Sequence, residues 1–417
     1  MNKILNFLLS RKRFIFFSIL RILSMVLGLI SNIFIVRKLT VEDFGIFSVA
    51  LLVVNLITTF GFSWSSSSIL YFGSKEKEKF GNLNKTFWSR NIIIFVSLVI
   101  VTIGIILFRE QINSYVGLNI WILLLLWLYV SVAENYLNQY YLAVKKQITS
   151  SMLSITAKII YILLIVIIPF DVITLILIYI VSHATVIFYV LGINRKDVGR
   201  FEFDKNWFKE VLNFSLWQLF GFSGLYLINF GDIAVVKHFL TIEDVGIYNA
   251  AYQLFNAAAS FSFVISSYYA SNISSYFTSK DTKKIKQFFY RERFYILIIS
   301  LAGHLLAIML SRPIITLLYG QEYIQSVTIF NLLMIGSLIK FTTVFYMLYY
   351  NTNGKHAIQQ TINICIAIVN VLLSIVFVQI MGLIGPAVGT IVSLFLSFLF
   401  SFFYCEKRIL YFIRKGK

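Results

Sequence analysis

Six charged side chains lie within long apolar segments of the sequence, where a charge is costly unless it has a partner or a function. Four are basic and two are acidic: Arg21, Lys158, Arg312, Lys340, Glu134 and Asp232. An arginine can hold a phosphate through two parallel hydrogen bonds, and a lysine acts on it as a point charge. A carboxylate in such surroundings can take up a proton or a sodium ion. The residue types therefore predict the binding of an anion together with a small cation.

The four basic residues differ in how far they lie from the ends of their apolar segments. Arg21 and Lys158 lie about seven residues inside one end of their apolar segments, or roughly 10 Å at the helical rise. Lys340 lies deeper, and Arg312 lies near the opposite end. The first three are candidates for binding an anionic headgroup that enters from one side of a membrane. The alternative is that their side chains extend to the lipid headgroups, which is the favoured interpretation for Arg312.

The two acidic residues are candidates for ion coupling. Glu134 lies in the middle of its segment with Asn138 one helical turn further on, and Asp232 lies near the end of its segment. The alternative for both is an internal ion pair with one of the buried cations. His183 and His304 are single histidines in the middle of apolar segments, where a hydrogen-bonded packing role is favoured over proton transfer.

Amide and hydroxyl side chains recur along one face of several apolar segments. Such polar stripes must face other helices or a wet cavity. One stripe alone is explained by packing, but stripes in both halves favour a central cavity. The candidates for its lining are Asn55, Gln253, Asn256, Asn363 and Asn370.

Catalytic and metal-binding motifs are missing from the sequence. It has no phosphate-binding loop, no His-Glu-x-x-His and no Gly-x-Ser-x-Gly. Its two cysteines have no metal-ligand spacing. We therefore expect no enzyme activity, no catalytic residues, no metal site and no cofactor. Any energy input would then come from a proton or sodium gradient.

The composition predicts the elements that position these residues. The chain is 59% hydrophobic and 13% charged, and apolar runs of about 20 residues recur, which is typical of transmembrane helices. The runs lack the alternation of a barrel strand. We predict an all-α integral membrane protein with twelve spans, at 14–36, 44–72, 91–108, 120–143, 151–170, 172–192, 211–236, 246–273, 294–319, 325–350, 358–379 and 387–405.

One stretch occurs twice, at positions 39–47 and 240–248. Thr, Glu, Asp, Gly and Ile recur in register, and the spacings Thr40-x-x-Asp43 and Thr241-x-x-Asp244 resemble a capping box at a helix start. With six spans before the second copy, both halves have the same orientation, as in a parallel repeat. We predict a bundle of six helices over 1–192, a linker over 193–210, a second bundle over 211–405 and a basic tail over 406–417. Gly385-x-x-x-Gly389 is a small-residue packing pattern.

The net charge of +18 does not point to nucleic acid, because of where the charges lie. Of the 36 Lys and Arg residues, 28 fall in the N-terminus, in alternate loops such as 75–90 and in the C-terminal tail, and four fall in the intervening loops. This asymmetry places both termini in the cytoplasm by the positive-inside rule.

Four segments resemble the Wzx-type flippases of O-antigen and capsule repeat units, members of the MOP superfamily that also contains the MATE exporters and the lipid II flippases. They are 39–50, 232–252, Pro313 to Tyr323 and Gly382 to Thr390. The family usually has alanine where this chain has Pro386.

The resemblance implies two six-helix bundles arranged in a V, with a basic lumen and alternating access. It implies a cargo of undecaprenyl-pyrophosphate-linked oligosaccharide, moved from the inner to the outer leaflet of the bacterial cytoplasmic membrane for surface polysaccharide assembly. Arg21, Lys158 and Lys340 would then bind the pyrophosphate. The partners would be this glycan, membrane lipids, and a polysaccharide polymerase with its chain-length regulator.

Two alternatives remain at this stage. A MATE-type ion-coupled exporter of small organic cations would favour buried acids, but buried cations outnumber acids here. A membrane-embedded polysaccharide polymerase would need a sizeable outer loop to build its site, and the predicted outer loops are short.

Overall fold

A computed structural model describes residues 12–193 and 200–415 of the chain. Regular structure in these ranges is entirely helical. The main helices are α1 Lys12–Lys38, α2 Val41–Gly61, α3 Ser66–Phe80, α4 Asn84–Leu107, α5 Arg109–Val116, α6 Trp121–Ala143, α7 Gln147–Ile167, α8 Val172–Ile193, α9 Lys205–Phe239, α10 Ile242–Thr278, α11 Thr282–Gln287, α12 Arg293–Met309, α13 Ser311–Leu318, α14 Ser326–Thr352, α15 His356–Met381 and α16 Gly385–Lys415.

Several of these helices are long and apolar enough to cross a bilayer. Within the described ranges nine meet this test, or ten if α9 is taken as one bent span. The region from Ala357 to Arg414 contains both α15 and α16 and counts as one of the nine. The chain is therefore a multi-pass membrane protein, while the number of twelve spans stays a prediction. The 37-residue helix α10 is not among the nine, because its many polar side chains lower its hydropathy.

The duplicated stretch starts a helix at both of its copies, as predicted. The Thr40 hydroxyl accepts a hydrogen bond from the Asp43 amide at 3.1 Å, and Thr241 accepts one from Asp244 at 3.2 Å. The Asp244 carboxylate also accepts from the Thr241 amide, which completes the capping box at the start of α10. These contacts satisfy amide groups that have no partner within the first turn.

The chain divides into two compact units, Met1–Ser223 and Gly224–Lys417. In unit 1, α1 packs on α7, and α6, α7 and α8 pack on one another. Their core contains Leu137, Tyr141, Leu153, Ala157 and Val186. This three-helix core positions the polar residues of unit 1.

In unit 2, α10 packs on α14, and α16 packs on both α14 and α15. The closest approach uses the predicted glycine pattern. A Cβ at Gly389 would lie 2.8 Å from the Ser374 hydroxyl, and one at Gly385 would lie 2.3 Å from the backbone of Phe377. Only glycine permits this approach of α16 to α15, so the packing role of the pattern is confirmed.

Within unit 1, Asp204 and the first turn of α9 pack against the start of α4. The Asp204 carboxylate accepts hydrogen bonds from the amides of Asn206 and Trp207 and from Lys85 Nζ at 3.0 Å. The Trp207 amide, followed by Lys85, lowers the pKa of Asp204 below its usual value. The Trp207 indole donates to the Thr86 hydroxyl at 3.0 Å. Part of the predicted linker, 194–199, lies outside the described residues.

Replacing Glu406 by alanine is expected to destabilise unit 2. This buried carboxylate on α16 pairs with Arg293 of α12 and accepts hydrogen bonds from the hydroxyls of Tyr290 and Tyr346. Its loss leaves the guanidinium without its carboxylate partner, which costs about 3–5 kcal/mol. The melting temperature of the purified protein should fall clearly. The exposed Glu243→Ala is the control, and an equal effect of both would contradict the assigned role.

Candidate functional site

A buried polar cluster joins α6, α7 and α8 of unit 1 around Glu134. Its Oε1 accepts a hydrogen bond from the Ser154 hydroxyl at 3.2 Å, and its Oε2 lies 3.7 Å from His183 Nε2. One turn along α6, the Asn138 amide donates to Ser154 at 3.0 Å and accepts from the Ser150 hydroxyl at 3.1 Å. The predicted neighbours Glu134 and Asn138 thus share one network.

A polar cavity of about 220 Å³ adjoins this network, between α1, α6 and α7. We call it the unit 1 cavity. Its lining is mostly amide and hydroxyl groups with one guanidinium: Leu20, Arg21, Ser24, Asn135, Asn138, Gln139, Leu142, Ser150, Ser151 and Ser154. The exposed residue Arg21 is the charged member of the lining, which keeps Arg21 a candidate for binding an anion within unit 1.

Lys158 stands beside the unit 1 cavity on α7. Its ammonium donates to the Ser24 carbonyl at 2.8 Å and to the Ser24 hydroxyl at 3.0 Å. Gly28, one turn further along α1, leaves room for it, since a Cβ there would lie 3.6 Å from Nζ. The Lys158 side chain therefore reaches α1 instead of the lipid headgroups, and both of its hydrogen-bond acceptors are neutral.

In unit 2 four neutral donors converge on Asp232 of α9, which is 3% exposed. The Tyr248 hydroxyl donates to Oδ2 at 2.8 Å, and Thr390 donates to the same oxygen. The Asn370 amide and the Ser374 hydroxyl each donate to Oδ1 at 2.9 Å. Within 12–193 and 200–415, no lysine or arginine forms an ion pair with Asp232, so the predicted alternative of a salt bridge is not found.

The chemistry of the Asp232 cluster suits a small cation. Hydroxyl and carboxylate oxygens are hard ligands of the kind that alkali and alkaline-earth ions prefer, whereas Asn370 turns its NH₂ group to Asp232. Four donors occupy the carboxylate, so a cation or a proton would bind there only if a hydroxyl turned its hydrogen away. No group of three or more His, Cys, Asp or Glu side chains with metal-binding geometry exists in the described ranges. The cluster also explains Asn370, a predicted cavity residue: it is 5% exposed and directed at Asp232.

Lys340 on α14 is half-buried in unit 2, and its ammonium lies 4.8 Å from the centre of the Phe255 ring. A cation over an aromatic face gains about 0.5–2 kcal/mol, which is less than a buried ammonium loses in leaving water. Among the residues that the structure describes, none forms an ion pair or hydrogen bond with Lys340. Asp232 is the carboxylate within electrostatic range of it.

The remaining predicted cavity residues, Asn55, Gln253, Asn256 and Asn363, are half-buried. Asn55 donates to the carbonyl of Leu51 in its own helix at 2.8 Å. Gln253 donates to Asn249 at 3.4 Å. That these four residues line a passage stays a prediction.

The chain is similar to known proteins in both sequence and fold. The family described as polysaccharide biosynthesis protein matches residues 10–271. The chain belongs to this family. No curated protein sequence matches it.

Solved structures of membrane transporters share the fold of this family member. The lipid II flippase MurJ in an inward closed conformation has a TM-score of 0.73 at 18% identity, over 96% of this chain and 90% of that one. An inward-facing multidrug resistance MATE transporter of the MOP superfamily has a TM-score of 0.74 at 17% identity, over 94% and 96%. A MOP superfamily transporter from Pyrococcus furiosus has a TM-score of 0.65 at 14% identity, over 95% of each chain.

One buried cation of this family member was missed by the sequence analysis. Arg90, counted there with loop 75–90, lies within α4 and is 2% exposed. Its guanidinium lies 4.8 Å from the centre of the Tyr136 ring, and its Nε and Nη1 have no hydrogen-bond partner among the described residues. Asn135 lies beside both Arg90 and the unit 1 cavity. The predicted span began at residue 91, whereas α4 begins at Asn84. A predicted span that began at Asn84 would have included Arg90 among the buried cations.

Proposed function

We propose that this protein flips undecaprenyl-pyrophosphate-linked oligosaccharide units from the inner to the outer leaflet of the bacterial cytoplasmic membrane for surface polysaccharide assembly. Twelve spans in two parallel six-helix repeats would perform alternating access. Arg21, Lys158 and Lys340 bind the pyrophosphate. The cargo supplies the anionic partner that neither lysine contacts among the described residues.

The observation that carries the proposal is the set of contacts that the Lys158 and Lys340 ammonium groups make. Lys158 is bound to neutral oxygens at the edge of a polar cavity, and Lys340 rests on an aromatic ring. A membrane protein that kept such cations only for packing would be expected to pair them, because an unpaired buried charge is costly. Membership of the polysaccharide biosynthesis family agrees with a glycan cargo.

Energy coupling is assigned to the carboxylates of Glu134 and Asp232. Asp232 holds a small cation, and Glu134 takes up a proton during the cycle. Neither site contains a nucleotide-binding motif, and the sequence has none elsewhere. The binding of cation and cargo is thus linked through groups that change charge.

The alternative is a MATE-type exporter of small organic cations, to which the MATE-like fold and the buried Asp232 would also be suited. The cation-rich sites argue against it, since Arg21, Lys158 and Lys340 would repel a cationic drug. A membrane-embedded polymerase has no support in the described part of the chain, where the eight-residue α5 is the only α-helix confined to a predicted outer loop.

Deletion of the gene tests the proposal. The deletion strain should lose its surface polysaccharide and accumulate the lipid-linked glycan, which mass spectrometry of extracted lipids would identify. That glycan, labelled with a fluorophore and placed in liposomes, should change leaflet only when the purified protein is present. The control is the same glycan on undecaprenyl monophosphate.

The outcomes separate the candidates. Flipping of the pyrophosphate form well above the monophosphate form is expected. Normal surface polysaccharide in the deletion strain, together with uptake of ethidium by the same liposomes, would contradict the flippase function and support the exporter function.

A further inference from the structure

Glu134 and His183 form a buried acid–base pair in which each group faces the other. The side chain of His183 is 5% exposed and that of Glu134 is 15% exposed. Nε2 of the ring and Oε2 of the carboxylate are 3.7 Å apart. The pair bridges α6 and α8, next to the network that adjoins the unit 1 cavity.

The surroundings of His183 fix which ring nitrogen carries hydrogen when the ring is neutral. Nδ1 lies 3.0 Å from the Tyr179 carbonyl, which can only accept. It also lies 3.1 Å from the Ser182 hydroxyl, whose own hydrogen points to the Tyr179 carbonyl at 2.9 Å. The ring stacks on that of Tyr179 with centroids 3.9 Å apart, so it cannot turn freely. The hydrogen-bond network therefore assigns the hydrogen to Nδ1, and a lone pair on Nε2 faces Glu134.

His304 of unit 2 shows the hydrogen-bond partners that satisfy both ring nitrogens of a neutral buried histidine. Its Nδ1 likewise lies on a carbonyl four residues earlier, that of Ser300, at 2.7 Å. Its Nε2 lies 3.0 Å from the Ser337 hydroxyl, which can donate a hydrogen to it. His304 is thus satisfied without charge. His183 has an ionisable carboxylate in place of that hydroxyl, and an ionised carboxylate has no hydrogen to donate.

A lone pair facing a carboxylate is repulsive unless one proton lies between the two groups. With the proton on the ring, the two groups form an ion pair at the present 3.7 Å. With the proton on the carboxylate, Oε2 must move closer to Nε2 to donate to it, because 3.7 Å is too long for a hydrogen bond. Both arrangements satisfy the pair, and in both the pair carries one proton more than ionised Glu134 with neutral His183.

The charged and titratable groups around the pair come from three helices. Lys158 of α7 lies within electrostatic range of both members of the pair, and Arg21 of α1 acts on Lys158. Tyr161 of α7 has its ring 6.1 Å from that of His183, and Tyr179 belongs to α8 itself. The acids of α2 are confined to its first turn. Lys158 is therefore the cation that can replace the shared proton.

We propose that Glu134 and His183 together bind one proton when Lys158 is turned away to Ser24, and release it when Lys158 pairs with Glu134. One positive charge replaces the other, so the site keeps its net charge. The released proton leaves His183 neutral with hydrogen on Nδ1. A phosphate-bearing cargo that holds Lys158 would keep the proton in place, so cargo and proton bind together. This inference rests on the proposed headgroup site.

Calorimetry on the purified full-length protein tests the inference, with inorganic pyrophosphate as the probe. Titrations in two buffers of different ionisation enthalpy give both the binding and the number of protons taken up. Because the pair already holds its proton when Lys158 lies on Ser24, extra uptake is expected only at a pH where Lys158 pairs with Glu134 before binding. As the pH is raised, the wild type should therefore take up increasingly more protons than Glu134→Gln or His183→Phe, up to about one more per bound pyrophosphate. The difference between variants removes the contribution of pyrophosphate's own titration.

The variants are chosen to keep the fold. Gln has the shape of Glu, and Phe keeps the stacking on Tyr179. The matched control is His304→Phe, which alters an equally buried ring without a carboxylate and should retain the full proton uptake. If one of the two test variants does not fold, the proton uptake of the other still tests the proposal.

The possible failures are distinguishable. Binding of pyrophosphate with the same proton uptake in the wild type and in Glu134→Gln at every pH would overturn the proton pair and leave the headgroup site in place. Absence of pyrophosphate binding would overturn the headgroup site and, with it, the linkage.

Discussion

Replacing Lys340 by alanine is expected to abolish export of the glycan while the protein still reaches the membrane. The ammonium lies over Phe255 and has no acidic partner in hydrogen-bond contact among the described residues, so its removal does not strand a buried acid. The loss of a charge-assisted contact to a buried anion costs about 2–5 kcal/mol, which corresponds to roughly 30-fold to 5,000-fold in rate if the contact is made in the rate-limiting step. Flipping in liposomes and surface polysaccharide in cells are the measurements.

Two further substitutions at Lys340 separate charge from shape. Lys340→Met keeps the apolar stem and removes a costly buried charge, so it should be as stable as the wild type or more stable, and inactive. Lys340→Arg keeps the charge over the Phe255 ring and should retain part of the activity. Lys284→Ala, at an exposed lysine paired with Asp281, is the control. Full export by the Met variant would remove Lys340 from the headgroup site.

Asp232→Asn is expected to reduce flipping by about tenfold or more and to remove its dependence on an ion gradient. Each carboxylate oxygen of Asp232 accepts two hydrogen bonds. In either orientation, an asparagine amide places its NH₂ group opposite two of the four donors, so it can accept hydrogen bonds from only the other two. It also has no negative charge with which to bind a cation. The substitution keeps the volume of the side chain, so the helices around it should pack as before.

The measurement is flipping in liposomes with imposed proton or sodium gradients. Asp244→Asn, which changes only a capping carboxylate at the start of α10, is the control and should keep both the rate and its response to the gradient. An Asp232→Asn protein that still responds to the gradient would move the coupling site elsewhere, with Glu134 as the remaining carboxylate.

The sequence predicted the elements that depend on local pattern. Apolar runs of bilayer length predicted long helices, because a backbone in lipid must satisfy its own hydrogen bonds. The two Thr-x-x-Asp spacings predicted helix starts, which need only residues three positions apart. The glycine pattern of α16 predicted a close approach to another helix. The charged residues inside the apolar runs were also identified from the sequence, and Glu134 and Asp232 both lie in polar clusters.

The sequence could not assign partners across helices. Nothing in it indicates that Asp232 receives donors from α10, α15 and α16, or that Asn370 is one of them instead of a cavity residue. Arg90 was misplaced because the start of α4 depends on where the chain turns, and apolar runs alone define that turn poorly.

What the sequence alone determined is therefore the class of the protein, its helices and their caps, and the list of costly buried charges. The tertiary structure decided what each charge meets. The rotation of a helix about its axis is set by side-chain packing against helices distant in sequence, and a rotation of one residue would turn His183 away from Glu134. For that reason the pairing of Glu134 with His183, the reach of Lys158 to Ser24 and the four donors on Asp232 depend on the packed fold.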